Sequence, residues 1–339
     1  MKILVTGATG FVGSVLVPEL IRLVGRQALT ALVLPHDPLY AVWRHKDIRT
    51  VWGDIRQAEV VEEACREQSH VIHMAACISY CRRDKEKLLA VNEGGTANVV
   101  NACLRQGVKR LVHISSEGAV GIVRDGRPAD ENTPFNWPKF FHYMASKLRG
   151  QRVVEEAVRR EGLEAVILNP AAIMGPGDPN ENMPHNRLYR MASRGALLGS
   201  LPGGISVVDV RDVVAIIIKA LEGGRSGERY LLVGDNVTYQ QTVRILAGVA
   251  GQKAIPVIIP SLAVEAAGIL LEALTGLTGQ PPPVTRSYGR LCGWKIYHSN
   301  EKSVREFGHA YIEFETTVRD GYSYYKRTFL NPSPAASAL

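Results

Sequence analysis

The chain has 339 residues, 46% of them hydrophobic, and carries 40 Lys and Arg against 33 Asp and Glu for a formal net charge of +7. That length and apolar content support a large core, or a domain with a smaller lobe, and exclude a largely disordered chain. The basic surplus is interleaved with acids, as in Arg82-Arg83-Asp84-Lys85-Glu86-Lys87, which reads as a solvated helix face and not as a nucleic-acid tract; a mild positive bias also suits an anionic cofactor or substrate. No apolar stretch reaches the ~20 residues that span a bilayer. Met1-Lys2-Ile3-Leu4-Val5 leads straight into Gly7 instead of a cleavable signal, so a soluble, cytoplasmic protein is expected. Cys65, Cys77, Cys81, Cys103 and Cys292 form no C-x-x-C pair and no zinc-like cluster with His, so no metal site is expected.

In the first half, short apolar runs alternate with longer amphipathic ones. Lys2–Thr6, Ala28–Leu34, Thr50–Trp52, Val71–Met74, Arg110–Ser115 and Glu164–Asn169 read as strands, and Phe11–Val24, Ala58–Gln68, Leu88–Gln106 and Ser146–Arg160 as helices. Gly25, Gly107 and Gly162 fall where three of these helices should stop. Strand–helix alternation of this kind implies a parallel sheet covered on both faces, a doubly wound α/β architecture. After Pro170 the rhythm changes. Gly175-Pro176-Gly177-Asp178-Pro179-Asn180 precedes a helical stretch near Asn186–Leu198, and Ile205–Val208 reads as a return to the sheet. A helix near Asp209–Glu222 and a strand at Arg229–Val233 follow, and from Thr238 the pattern is mainly helical. The expected division is therefore residues 1–170 with 205–235 as one domain, 171–204 with 236–330 as a smaller, mainly helical lobe, and 331–339 as a disordered tail. Ser261–Thr275 is the most hydrophobic helical stretch, with Glu265 and Glu272 its only charges. It reads as a core or subunit-interface helix, or as a lid, substrate wall or membrane-surface contact.

Two motifs carry chemistry. Thr6-Gly7-Ala8-Thr9-Gly10-Phe11-Val12-Gly13 follows the first strand and opens the first helix. Gly7 permits a tight turn, Gly10 lets the backbone approach a pyrophosphate, and Gly13 permits close packing of helix on sheet, with free N–H groups and the helix dipole facing the anion. The second motif is Tyr143-Met144-Ala145-Ser146-Lys147. At this spacing the two side chains lie one helical turn apart, and a neighbouring ammonium lowers the pKa of a phenol from about 10. The pair is a candidate general acid/base.

Together, G-x-x-G-x-x-G and Y-x-x-x-K make this chain resemble the extended short-chain dehydrogenase/reductase (NAD-dependent epimerase/dehydratase) family, over roughly residues 1–330. Further landmarks stand in order: Gly53-Asp54-Ile55, His73-Met74-Ala75-Ala76, Val91-Asn92-Glu93-Gly94-Gly95-Thr96, Ile114-Ser115-Ser116, Asn169-Pro170 and Val208-Asp209-Val210-Arg211-Asp212-Val213. The resemblance implies a Rossmann sheet binding NAD(P), a small-molecule substrate and a homodimer. It makes Ser116 a hydrogen-bond donor to the substrate oxygen, Tyr143 the proton-transfer group, and Lys147 the residue that holds the nicotinamide ribose and lowers the tyrosine pKa. Asn92 would support the proton relay. The cofactor would contact Gly7, Thr9, Gly10, Phe11, Val12, Gly13, Asp54, Ile55, Ala75, Ala76, Ser115, Pro170 and Ile173 besides Tyr143 and Lys147. Asp54, Asn92 and Ser116 also admit plain structural roles, as a turn residue, a helix-interior contact and a strand-end hydroxyl.

Sugar-nucleotide dehydratases follow the catalytic hydroxyl with an acid pair, whereas here Ser116 is followed by Glu117 and then Gly118. The segment Leu168-Asn169-Pro170-Ala171-Ala172-Ile173-Met174 lacks the Arg common in sugar-nucleotide enzymes and looks more like the dihydroflavonol-reductase-like and 3β-hydroxysteroid-dehydrogenase-like branch. A carbonyl reductase or alcohol dehydrogenase is the favoured expectation, ahead of a nucleotide-sugar epimerase and of a non-catalytic dinucleotide-binding protein. Ser116, Glu117 and Met174 are the substrate candidates, and Val120, Met174 and Tyr189 hint at an apolar pocket. NAD and NADP stay open: Leu34 stands where NADP enzymes present an Arg, Asp37 lies late and could cap the next helix, and His36 or Arg44 could reach a phosphate.

Overall fold

A computed structural model describes residues 1–332 apart from 44, 46, 197–198, 254–256, 279–281 and 283. Arg44, as a candidate for a cofactor phosphate, and the tail from 333 onward lie outside the described residues. The strands are β1 (Ile3–Thr6), β2 (Leu29–Val33), β3 (Arg49–Trp52), β4 (His70–His73), β5 (Arg110–Ile114), β6 (Ala165–Pro170), β7 (Ala172–Met174), β8 (Gly204–Asp209), β9 (Arg229–Leu232), β10 (Asp235–Thr238) and β11 (Lys295–Ile296). The helices are α1 (Phe11–Val24), α2 (Ala58–Cys65), α3 (Lys85–Leu89), α4 (Thr96–Arg105), α5 (His142–Glu161), α6 (Pro184–Ser193), α7 (Val210–Ala220), α8 (Tyr239–Val249), α9 (Ser261–Thr278), α10 (Arg286–Leu291), α11 (Glu301–Phe307) and α12 (Phe314–Tyr325).

Seven strands form the main sheet in the order β3-β2-β1-β4-β5-β6-β9, all parallel. Every residue of β1, β2, β5 and β6 is buried, as a sheet covered on both faces requires. One face packs Leu16, Val17 and Leu20 of α1 with Val213, Ile216 and Ile217 of α7. The other packs Val61 of α2, Val99 and Cys103 of α4, and Val154 and Ala157 of α5. The strand order reverses between β1 and β4, and ligands of open α/β sheets sit at the carboxyl ends beside that point.

Two expectations need correction. Gly204–Asp209 does not rejoin the main sheet, because β9 occupies the edge of β6. Strand β8 instead centres a second sheet, pairing parallel with β7 and β11 and antiparallel with β10. The helix expected over Leu88–Gln106 is also interrupted: α3 and α4 flank a widened π turn at Ala90–Gly95. Such turns recur at functional sites, and this one carries Asn92.

The smaller lobe closes around Met174, Tyr189, Val207, Leu246, Phe314 and Tyr325. The Val208–Val213 landmark ties that lobe down. Asp209 caps α7 by accepting from Arg211 N (2.8 Å) and from Thr317 Oγ1 (2.8 Å), and Arg211 also bridges to Asp320. Asp212 accepts from the backbone N–H of Ile312 and pairs with His309. Among the described residues no helix is long and apolar enough to cross a membrane.

Candidate active site

The glycine loop leaves β1 at Gly7, whose φ of +76° suits glycine, and a Cβ there would lie 2.9 Å from the Ala75 nitrogen. A Cβ on Gly13 would lie 2.3 Å from the Ala8 carbonyl oxygen. The third glycine is thus demanded by the loop's own backbone, more directly than by helix-on-sheet packing. Thr6 Oγ1 accepts from the N–H groups of Met74 and Ala75, which fastens the Ala75-Ala76 segment beside the loop. Helix α1 begins without a side-chain cap at Gly10 and without an acid in its first turn. Phe11 lies against the His185 ring (4.9 Å between centroids), Val12 packs on the main core, and Ser14 Oγ donates to the Gly177 carbonyl.

Asp37 does cap the turn after β2, accepting from Leu39 N at 2.9 Å. It also accepts from the Thr9 hydroxyl, which brings a carboxylate to the edge of the glycine loop. Asp54 accepts from the Arg56 side chain and backbone N–H, and the Arg56 hydrogen bond holds its pKa below the ordinary value. Ile55 is buried against Gly95. His36 is exposed and free to turn outward, with φ +62°. The uncapped start of α1, the Gly7 cradle that a Cβ would fill, and the Asp37 carboxylate beside Thr9 fit a dinucleotide.

Helix α5 begins at His142, so Tyr143 and Lys147 fall on its first two turns. Lys147 is only 5% exposed, which excludes a surface pair, and its Nζ donates to the Ile114 carbonyl at 2.9 Å. Burial lowers its pKa to about 8. Tyr143 departs from expectation: its phenol is pushed up to about 12. Burial is the main cause, the Ser116 hydroxyl draws it down, and Glu117 and Cys77 push it further up. Lys147 is not among these causes.

Ser116 is held from several sides. It caps the turn Glu117–Ala119, accepting from Gly118 N at 3.1 Å, and its carbonyl accepts from Asn169 Nδ2 at 2.7 Å. Ser115 turns away into a buried cluster, donating to Gln151 Oε1, which Asn169 also reaches. Asn92 touches neither Tyr143 nor Lys147 side chain. Its amide donates to the Cys77 carbonyl and to Ser146 Oγ, and Ser146 donates in turn to the Tyr143 carbonyl. Asn92 therefore positions the start of α5. Pro170 is buried at the end of β6 and Ile173 packs on the main core. Met174, Val120 and Tyr189 are all interior (6%, 1% and 0% exposed). Tyr143 shares a narrow recess with Ser79, Tyr80, Phe140, Phe141 and Ser287, and the Tyr80 ring lies 5.7 Å from its own.

Glu117 does not point away from the site. Its charge reaches Tyr143, and its Oε2 lies 3.1 Å from Nδ1 of His298, an imidazole fully buried beyond β11. Neither His298 ring nitrogen makes a well-directed hydrogen bond among the described residues. The His298 backbone is anchored by Ser206 and Asn236, so the second sheet delivers it. No spacing in the sequence links Glu117 to His298; the pairing of β11 with β8 and a parallel bridge between Ala129 and His298 bring them together.

A glycine loop at the switch point of a doubly wound parallel sheet defines a dinucleotide-binding protein of the Rossmann type. The NAD dependent epimerase/dehydratase family matches residues 3–233, and the chain belongs to that family. It is 32% identical to sterol demethylase protein B of Methylococcus capsulatus over 275 residues, covering 81% of this chain and 82% of that one. It is 27% identical to a provisionally named dihydroflavonol 4-reductase of Synechocystis sp., over 95% and 94% of the two chains. In fold it is similar to the dTDP-glucose 4,6-dehydratase DesIV of Streptomyces venezuelae, solved with NAD and TYD bound: the TM-score is 0.77 at 22% identity, covering 96% and 97% of the chains.

Proposed function

We propose that the chain is an NAD-dependent carbonyl reductase or alcohol dehydrogenase acting on a small, apolar hydroxy or keto compound. The observation that carries this reading is the convergence of Ser116, Tyr143 and buried Lys147 at the carboxyl end of β5, a set that cofactor binding alone does not require. The aromatic side chains Tyr80, Phe140 and Phe141 close around Tyr143 and support an apolar surrounding for the reacting group. When bound, the nicotinamide supplies or accepts the hydride. The protein's part is the proton. Ser116 donates a hydrogen bond to the substrate oxygen, and Tyr143, held protonated at neutral pH by a pKa of about 12, is in the form that gives a proton to a carbonyl oxygen. Lys147 carries positive charge beneath it below about pH 8.

NAD is favoured over NADP because Asp37, joined to Thr9 at the loop, accepts ribose hydroxyls and repels a 2′-phosphate, while Leu34 is half exposed and offers no clamp. The same reading includes a homodimer paired through α5 and a cytoplasmic location. Cofactor oxidation or reduction followed with a panel of ketones and alcohols tests it. The panel should show turnover in the wild type that is lost in Tyr143→Phe, and turnover surviving that substitution would overturn the assignment.

A further inference from the structure

Helix α9 is apolar, yet its larger side chains face outward. Leu262, Ile269, Leu270 and Leu274 are 75%, 48%, 62% and 44% exposed, and with exposed Ala266 and Ala273 they occupy one helical face. The preceding run Val257-Ile258-Ile259 is exposed too, although its backbone is pinned to Ser200. The inner face of α9 is closed against α10 through two glycines: a Cβ on Gly268 would lie 2.5 Å from the Thr285 carbonyl carbon, and one on Gly289 would lie 2.5 Å from the Glu265 backbone. The two acids of α9 are drawn to that inner side. Glu265 is paired with Arg286 and Arg290, and Glu272 accepts from the Arg286 backbone N–H. The outward face therefore carries no acid among the described residues. Two exposed cations lie near this run in the chain: Lys253 stands four residues before Val257, next to Gln252, which donates to the Ala192 carbonyl two residues before exposed Arg194. Among the described residues neither cation makes an ion pair.

We propose that the Val257–Ile259 run and the outer face of α9 dock on an anionic bilayer surface, with the helix lying in the interface plane. An exposed apolar stripe with cations close to it in the chain, in a protein of net charge +7 and with no spanning helix among the described residues, has the character of an interfacial helix. A second copy is the alternative occupant of such a face, and the oligomeric state read in the test distinguishes it. The surface is continuous with the site: α10, packed on the inner side of α9, contributes Ser287 to the recess that holds Tyr143. Docking would therefore bring the recess next to lipid and open it to lipid-soluble ketones and alcohols, a consequence that rests on the oxidoreductase reading. The docking itself does not, and its test reads binding and not turnover.

The test is co-sedimentation of the full chain with vesicles of phosphatidylcholine alone and of equal parts phosphatidylcholine and phosphatidylglycerol. The wild type should sediment with the phosphatidylglycerol vesicles and be released by salt. Leu262→Asp with Leu270→Asp should lower the bound fraction about tenfold or more at an unchanged melting temperature. Lys253→Glu with Arg194→Glu, which leaves the helix intact, should remove the preference for phosphatidylglycerol. Wild-type protein left in the supernatant overturns the proposal, as does equal binding by the aspartate variant. A dimer that the aspartate pair dissociates, with no vesicle binding, also overturns it and assigns the face to a second copy.

Discussion

The two halves of the site are built in opposite ways. The cofactor half is local: Gly7, Thr9, Gly10 and Gly13 sit on one strand–loop–helix turn, and its main outside contribution is Asp37 from the end of the next strand. The substrate half is assembled from the end of β5, the start of α5, the loop after β4, α10, and the segment beyond β11. A local half depends on backbone shape, and an assembled half on burial. That is why Gly13 is fixed by a carbonyl in its own loop, while the pKa values of Tyr143 and Lys147 are set by what the fold packs around them.

The largest expected effect strikes the assembled half. Tyr143→Phe should lower kcat by about 10²–10⁴ with a small change in KM, the usual range for removing a proton-transfer group. Steady-state kinetics with the best substrate of the panel checks it. Loss through KM alone would place Tyr143 in binding. On the local half, Gly13→Ala should destabilise the fold by about 1–3 kcal/mol through overpacking and weaken cofactor binding, as read by thermal melting and fluorescence titration. A mild effect there would mean that the loop relaxes easily and is less rigid than the contrast requires.

Lys147 tests whether burial sets the chemistry. Its ammonium form is complete well below pH 8 and is lost as pH rises through about 8, so kcat/KM for reduction should fall on that alkaline limb. Lys147→Arg keeps the charge at all working pH values and should abolish the limb. Glu117→Gln should act more gently. Removing a charge that pushes Tyr143 up should move the phenol's titration downward, visible as an earlier alkaline rise in the oxidation direction. An unchanged profile would reduce the Glu117–His298 pair to packing. The smallest effect belongs to Asp37→Ser, which should narrow the preference for NAD over NADP by about tenfold, measured by titrating both cofactors.

Much of the fold was legible because its signals are short in range. Strand–helix alternation located the sheet, and Asn169-Pro170 marked the end of β6, where Asn169 holds the Ser116 carbonyl. Misreadings arose where long-range pairing decides. Gly204–Asp209 has the composition of a main-sheet strand, but its edge was already taken by β9. Met174 and Tyr189 are buried in the core of the smaller lobe, a placement that no local pattern in the sequence shows.

By itself the sequence determined the dinucleotide loop and the phase of Tyr143 with Lys147, because glycine geometry and the helical repeat are properties of a few adjacent residues. Tertiary structure alone decided that burial raises the phenol's pKa and does not lower it, that Glu117 meets His298, and that α9 turns its apolar face outward. Each of these depends on which distant side chain removes water from a group, and burial is a property of the packed chain.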